Sequence, residues 1–300
     1  MLLLKLMKRV ALILPEPART NMRDSVEVGW EIAHLARPGP IALRLALCPR
    51  RRILTYPDVP SRYQALYKLC AVNGYRIVKD PEKPHDLAFH FQYQLQPCEL
   101  PLSKPTVNRG CGDVSKRRVA EVFEEIFGYK LAISPTLFEG LMVEKPNGNH
   151  TFDGRVLQGP IKPDDIMPDR VYERHIDTAD NEEAVDLRTV IYGQEIPIVY
   201  EKRRPKSGGL KDNTFAKIRD PEEVFSSTER SALLAFSEKL QLDYGELDVL
   251  RDVNDNRIYV VDVNNTPAGP PKQMSDADIA EALKILSPSF ERLLERVEER

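Results

Sequence analysis

Several features that would mark a function at once are missing from this chain. Its four cysteines, Cys48, Cys70, Cys98 and Cys111, form no C-x-x-C pair. No histidine stands at metal-ligand spacing beside them, so a zinc or dithiol framework is excluded and reduced thiols in a cytoplasmic protein are expected. Positive charge is not in excess: 43 Lys and Arg against 46 Asp and Glu leave a formal charge of −3. A protein that coats nucleic acid is usually basic, so no nucleic-acid partner is expected. No apolar run is long enough for a transmembrane segment. The opening MLLLKLMKRVALILPEP is interrupted by Lys5, Lys8 and Arg9, and no small-residue cleavage site follows it. Residues 1–14 are expected to form an edge element of a first lobe, the other reading being a basic amphipathic helix on a membrane surface. Internal repeats, low-complexity tracts and a convincing Ser/His/Asp or Cys/His set are also absent.

What is present is an ordinary globular composition. The 300 residues are 42% apolar and 30% charged, enough for a sizeable core and two or three packed lobes. PSRYQALYKLCAVNGYRIV predicts a helix with Tyr63, Leu66, Tyr67 and Leu69 or Cys70 on one face, ended by Asn73-Gly74, and HDLAFHFQYQL predicts a strand. Prolines thicken between 81 and 105, which closes an open α/β first lobe near Pro105. DVSKRRVAEVFEEIFGYK opens with Asp113 or Ser115 as cap and carries Val119, Val122, Phe123 and Ile126 at helical spacing before Gly128. GLMVEKPNGNHTFDGRVL reads as a hairpin, RVYERHID as a strand, and DLRTVIYGQEIPIVYEKRRP as a strand pair turning at Tyr192-Gly193-Gln194. A polar loop, RPKSGGLKDN, precedes the capped helix STERSALLAFSEKLQL, and a last helix runs from Ser275.

The informative stretch is ELDVLRDVNDNRIYVVDVNNTPAGPP, residues 246 to 271. A turn at Val253 to Asn256 joins two strands and sets Asp248 opposite Asp262 and Glu246 opposite Asn264. Because side chains alternate, Asp248, Asp262 and Asn264 share one face, while Leu247, Val249, Tyr259, Val261 and Val263 form an apolar face. Carboxylates roughly 5 Å apart repel unless a cation lies between them or one holds a proton. Hard oxygen donors without sulfur or imidazole suit Mg²⁺. The residues alone leave a second reading open, in which Asp262 and Asn264 cap the strand before Pro267.

These motifs, in this order, resemble the ATP-grasp superfamily over about residues 106 to 271. The type resembled is that of glutathione synthetase, D-alanine:D-alanine ligase and the ligases that add glutamate to a ribosomal protein. The family's Glu-x-Asn-x-x-Pro run reads here Asp262-Val-Asn264-Asn-Thr-Pro267. Its Asp-x-Arg strand pair is similar to DLRTVIYGQEIPIVYEKRRP and places Arg188 against the transferred phosphate. VSK and VEKP resemble its two nucleotide lysines, Lys116 and Lys145. RVYERHID takes the place of the adenine hinge, implying Glu173 and Arg174 there and Asp177 or Asp180 for ribose. Two departures stand out: Asp262 is one methylene shorter than the usual Glu, and NGNHTFDG lacks the tight glycine run of the phosphate lid.

The resemblance implies a mixed α/β fold whose two later lobes hold ATP between antiparallel sheets: residues 1–105, 106–170 and 171–300. It implies ATP with Mg²⁺ or Mn²⁺ as cofactors, the metal on Asp248, Asp262 and Asn264. The implied reaction joins a small-molecule or peptide carboxylate to an amine through an acylphosphate. Arg188 would be catalytic, with Asn213 and Lys217 beyond the basic run Lys202-Arg203-Arg204, which is a solvated loop edge or an anion receiver. From the residues alone, Arg188 has a second reading as a structural partner of Asp186 or Glu201, and Lys116 one as a solvated helix residue. A kinase of a small polyol or inositol phosphate, and a non-catalytic nucleotide-binding module, are the alternatives on the same fold.

Overall fold

A computed structural model describes residues 49–93, 104–148, 154–180, 182–206 and 213–300. Residues 1–14, the polar loop over 207–212, Cys48 and Cys98 lie outside the described residues. The chain forms two compact units.

The first unit takes the described residues up to Phe91, then 104–107 and 266–300. Its strands are β1 (Arg51–Pro57), β2 (Tyr75–Val78), β3 (Leu87–Phe91) and β4 (Thr106–Val107). They pair in parallel in the order β2-β1-β3-β4. β3 is buried along its whole length, as an inner parallel strand with both faces covered requires. Helix α1 (Ala65–Asn73) links β1 to β2 and ends at Gly74, whose φ of 77° is a left-handed turn that glycine adopts without steric cost. Tyr63, expected on its buried face, precedes the helix and is 60% exposed.

The second unit takes 92–93 and the described residues of 108–265. Helix α2 (Lys116–Phe127) is capped by Ser115, whose hydroxyl accepts from the Arg118 N–H, and stops at Gly128. A three-stranded sheet follows, order β6-β5-β7, from β5 (Gly140–Pro146), β6 (Arg155–Gly159) and β7 (Arg170–Arg174). The larger sheet contains β8 (Ala179–Asp180), β9 (Glu183–Tyr192), β10 (Val199–Pro205), β11 (Phe215–Arg219), β12 (Tyr244–Arg251) and β13 (Ile258–Asn264). Its order is β11-β10-β9-β12-β13, with β8 on β9, and every pairing is antiparallel. Helix α3 (Ser227–Lys239) carries a capping box of Ser226 and Glu229. The last helix, α4 (Asp276–Glu298), is capped by Ser275 and packs on α1 in the first unit.

Alternation decides what each face of the large sheet does. Leu187, Ile191, Val199, Leu247, Val249 and Val263 point to one side and form a core with Val119 and Phe123 of α2 and Leu233 and Phe236 of α3. Each such buried side chain contributes roughly 1.5–3 kcal/mol. The intervening residues, Arg188, Asp248 and Asp262 among them, fall on the other face. Gly245 lets β13 lie close to β12: a Cβ there would stand 2.8 Å from the Asn264 carbonyl oxygen.

Three expectations need correction. β7 belongs to the smaller sheet through its pairing with β5, so that sheet continues past residue 170. Residues 266–300 group with the N-terminal unit rather than with the C-terminal lobe. A bulge between Asp248 and Val249 shifts the hairpin register, so Val249 faces Val260. Val260 is therefore fully buried, and Val261, expected in the apolar face, only packs at its edge.

Candidate functional site

The hairpin register places Asp248 against Asp262 and Glu246 against Asn264, as the sequence predicts. On its other side β12 pairs with β9 so that Asp248 also faces Arg188. One row thus runs Arg188, Asp248, Asp262 across three strands. The next positions along the same face are Asp186 on β9 and Lys202 on β10, which pair with each other.

Arg188 grips Asp248 with both arms of its guanidinium, Nε to Oδ1 at 2.9 Å and a terminal nitrogen to Oδ2 at 3.1 Å. Lys202 approaches the same carboxylate at 3.5 Å. Burial alone would raise the Asp248 carboxyl, but the two cations hold it well below the usual carboxylate range. The partner of Arg188 is therefore neither Asp186 nor Glu201. Asp186 is taken by Arg204 at 2.8 Å, and Glu201 by Arg203 and Arg219 at 2.8 and 2.6 Å. The run 202–204 is not a loop edge but part of β10, its side chains alternating between the two faces.

Asp262 is held by Lys116, and its Oδ1 also accepts from the Val263 N–H at 2.9 Å. Lys116 is no solvated helix residue: its side chain is 9% exposed. Lys145 donates to the Val261 carbonyl at 2.8 Å and pairs with Glu173 at 2.7 Å. The two lysines, one from a helix start and one from a strand end, thus reach consecutive residues of β13. Burial pushes the Glu173 carboxyl up, against the pull of Lys145, and its Oε1 is buried without a hydrogen bond. Glu173 shares a face of the small sheet with Leu141, Val143, Lys145, Val156 and Val171. Gln158, opposite Leu141, lies on it too; Leu141 and Val156 are exposed, so the face is a mostly apolar wall that carries Lys145, Gln158 and Glu173.

Glu246 is a further charged residue on this face, outside the set Asp248, Asp262 and Asn264. It is 3% exposed, with Arg188 at 3.5 Å and no hydrogen bond to its Oε2. Burial pushes it up to about 7, only partly countered by Arg188. Tyr192 and Tyr200 lie near enough that, after burial, the Glu246 charge helps raise both hydroxyls well above their usual range. Its signal in the sequence was its parity: it stands two residues from Asp248, on the same face.

Other expected residues lie elsewhere. Lys217 on β11 stands beside Glu201 on β10 and pairs with it at 3.4 Å, on the face opposite Arg188. Asn213 stands two residues ahead of β11. Arg174 turns to the Tyr259 ring and hydroxyl, 2.9 Å from the latter. Its N–H and that of His175 bond to the Leu131 and Leu141 carbonyls. Asp177 accepts from the Ala179 N–H at 3.0 Å, and Asp180 pairs with Glu183 through β8. Among the described residues no three His, Cys, Asp or Glu side chains are grouped as a metal cage. No helix among them is long and apolar enough to cross a membrane. Cys70 and Cys111 are free, buried thiols.

No protein-family model and no curated protein matches the sequence. Solved structures do match the fold. The D-alanine–D-alanine ligase from Bacillus anthracis, complexed with ATP, aligns at a TM-score of 0.54 and 16% identity, over 83% of this chain and 99% of that one. The ATP-grasp ligase PsnB, complexed with minimal precursor, Mg and ADP, aligns at 0.53 and 10% identity, over 82% and 96%. The same ligase with precursor peptide PsnA2 and AMPPNP gives 0.51 and 10% over the same shares. These matches, at 82–83% of the chain, show that it has the ATP-grasp fold.

Proposed function

We propose that the chain is an ATP- and Mg²⁺-dependent ligase that joins a carboxylate to an amine through an acylphosphate. The observation that carries this reading is the convergence of Lys116 and Lys145 on β13 beside the Arg188–Asp248 pair. These three cations are balanced by carboxylates, an arrangement that can hand its cations to phosphate oxygens when a nucleotide arrives. The apolar wall of Leu141, Val143, Val156 and Val171 suits a purine, whose exocyclic amine is the kind of donor that Glu173 Oε1 lacks. The bound ATP, ADP with Mg, and AMPPNP of the structural neighbours support the same reading, and their precursor peptides support a peptide as acceptor.

The donor set fits a hard cation. Asp248, Asp262 and Asn264 offer oxygens only, and Mg²⁺ is commonly held by one or two carboxylates with phosphate oxygens and water rather than by a protein cage. Once bound, the ion would neutralise phosphate charge. The chain's own residues do the rest. Lys116 and Lys145 orient the phosphates. Arg188, released from Asp248, presents its planar fork to the equatorial oxygens of the transferred group. The acceptor carboxylate oxygen takes the γ-phosphoryl group and ADP departs. The amine lone pair then attacks the acyl carbon, phosphate leaves, and the amine loses a proton. Phosphorylation is needed because a carboxylate oxygen cannot itself leave.

Incubation with ATP, Mg²⁺, hydroxylamine and a panel of acids and peptides tests the reading. Hydroxamate and ADP in equal amounts are expected. A stable phosphorylated product would establish a kinase instead, and nucleotide binding without ADP release under any mixture would establish a binding module.

A further inference from the structure

We propose that Glu246 is an additional ligand of the divalent cation, supplying the long carboxylate arm that Asp262 lacks. The inference rests on the nucleotide reading above and goes beyond the set Asp248, Asp262 and Asn264.

Two independent observations carry it. The first concerns Asp262. Its short side chain directs Oδ1 at Lys116 and at its own strand's Val263 N–H, so that oxygen stays tied to its own strand even when Lys116 turns to a nucleotide. The second concerns Glu246. It faces Asn264 directly across the ladder and stands on the face of Arg188 and Asp248. Its Oε2 is buried and accepts no hydrogen bond.

The nearest cation does not account for that carboxylate. Arg188 spends its fork on Asp248 at 2.9 and 3.1 Å and reaches Glu246 only at 3.5 Å, beyond good hydrogen-bond geometry. A buried carboxylate without donors is costly, and the cost is offset by taking up a proton or by a charge that comes to it. A divalent cation of the Mg²⁺ or Mn²⁺ class is such a charge, and its preference for several oxygen ligands matches a carboxylate beside an amide and phosphate oxygens. Glu246, Asp248 and Asp262 form no ready-made cage among the described residues. Asp248 faces Arg188 until a nucleotide takes the guanidinium. The long arm therefore sits on β12 opposite Asn264, one strand away from the position where the family's usual Glu would stand.

The test is Mn²⁺ binding followed by electron paramagnetic resonance, with ADP present, in the full chain. Glu246→Gln is expected to weaken Mn²⁺ binding at least tenfold, and Asp262→Asn less than Glu246→Gln does. A smaller loss in Glu246→Gln, in protein whose circular dichroism matches the parent, would overturn the proposal, as would a larger loss in Asp262→Asn. If Glu246→Gln fails to fold, crystals of the parent with Mn²⁺ and ADP decide. An anomalous peak about 2.2 Å from a Glu246 carboxylate oxygen supports the assignment, and a peak that excludes Glu246 overturns it. A parent that binds ADP with no help from Mn²⁺ overturns the ligand assignment alone. A parent that binds no ADP under any condition overturns the nucleotide reading as well.

Discussion

Glu201 and Glu246 lie in the same six-stranded sheet and are each 3% exposed, but they sit on opposite faces and their carboxyls are pushed in opposite directions. Burial would raise both. At Glu201, hydrogen bonds from Arg203 and Arg219, with Lys217 beside them, more than reverse the effect of burial and pull the carboxyl below its usual range. At Glu246 burial prevails and the carboxyl sits at about 7, with an oxygen that accepts nothing. A stabilising ionic cluster is saturated with donors; a cluster with one member left wanting is poised for something else. The face with Glu201 reads as architecture, and the face with Glu246, Arg188 and Asp248 reads as a site.

The comparison breaks most visibly on turnover. Asp248→Asn is expected to lower ADP release in the acid-plus-hydroxylamine assay at least ~10³-fold, about 4 kcal/mol of barrier, while unfolding stays cooperative because no core cavity opens. Parental ADP release in the variant would return Asp248 to architecture; a loss of stability is expected in either role, because Arg188 and Lys202 lose their charged partner. Arg188→Lys follows, with an expected loss in kcat/KM of about 100-fold, since an ammonium cannot reproduce the two-armed contact. Near-normal rates would remove Arg188 from the site.

Much of this face was legible in the sequence, and the reason is local. The hairpin register follows from a short Asn- and Asp-rich turn and strict alternation, so Asp248 opposite Asp262 and Glu246 opposite Asn264 could be read directly. Helix α2 was legible for the same reason, with Ser115 and Gly128 as its caps. What escaped depends on which strands become neighbours. Arg188 meets Asp248 because β12 pairs with β9, a contact between residues 60 positions apart that no spacing rule announces. In the sequence Lys217 simply follows the basic run that Lys202 opens. The strand order puts Lys202 beside Asp248 and turns Lys217 to the other face. The terminal helix was predicted correctly as an element, but its grouping with the N-terminal unit is a matter of chain return that helical periodicity does not encode.

On the architectural face, Glu201→Gln is expected to destabilise the fold by about 2 kcal/mol at neutral pH, measured by urea unfolding. The figure is lower than for a fully buried pair because its cations are partly exposed. The sign with pH follows from the direction of the shift. The folded-state carboxyl lies below its unfolded value of 4.5, so its contribution is fully present above that value and is lost as pH falls through the folded one. The gap between parent and variant should therefore close in strong acid. A gap that persists there would mean that Glu201 acts through shape rather than charge.

The smallest effect is the most discriminating, because it is the same substitution on the other face. Glu246→Gln, without divalent ions and at neutral pH, should leave stability unchanged or raise it by up to about 1 kcal/mol. Replacing a buried charge that lacks a hydrogen bond with a neutral amide of the same shape removes a desolvation cost and sacrifices only a 3.5 Å ion pair. Arg188 keeps Asp248 as its principal partner throughout. The opposed signs at Glu201 and Glu246, in otherwise identical unfolding experiments, would separate a carboxylate that holds the sheet together from one whose burial is compensated only when a ligand arrives. A loss at Glu246 as large as that at Glu201 would show that Arg188 alone satisfies it, and the asymmetry between the two faces would then lie in Asp248 and the lysines.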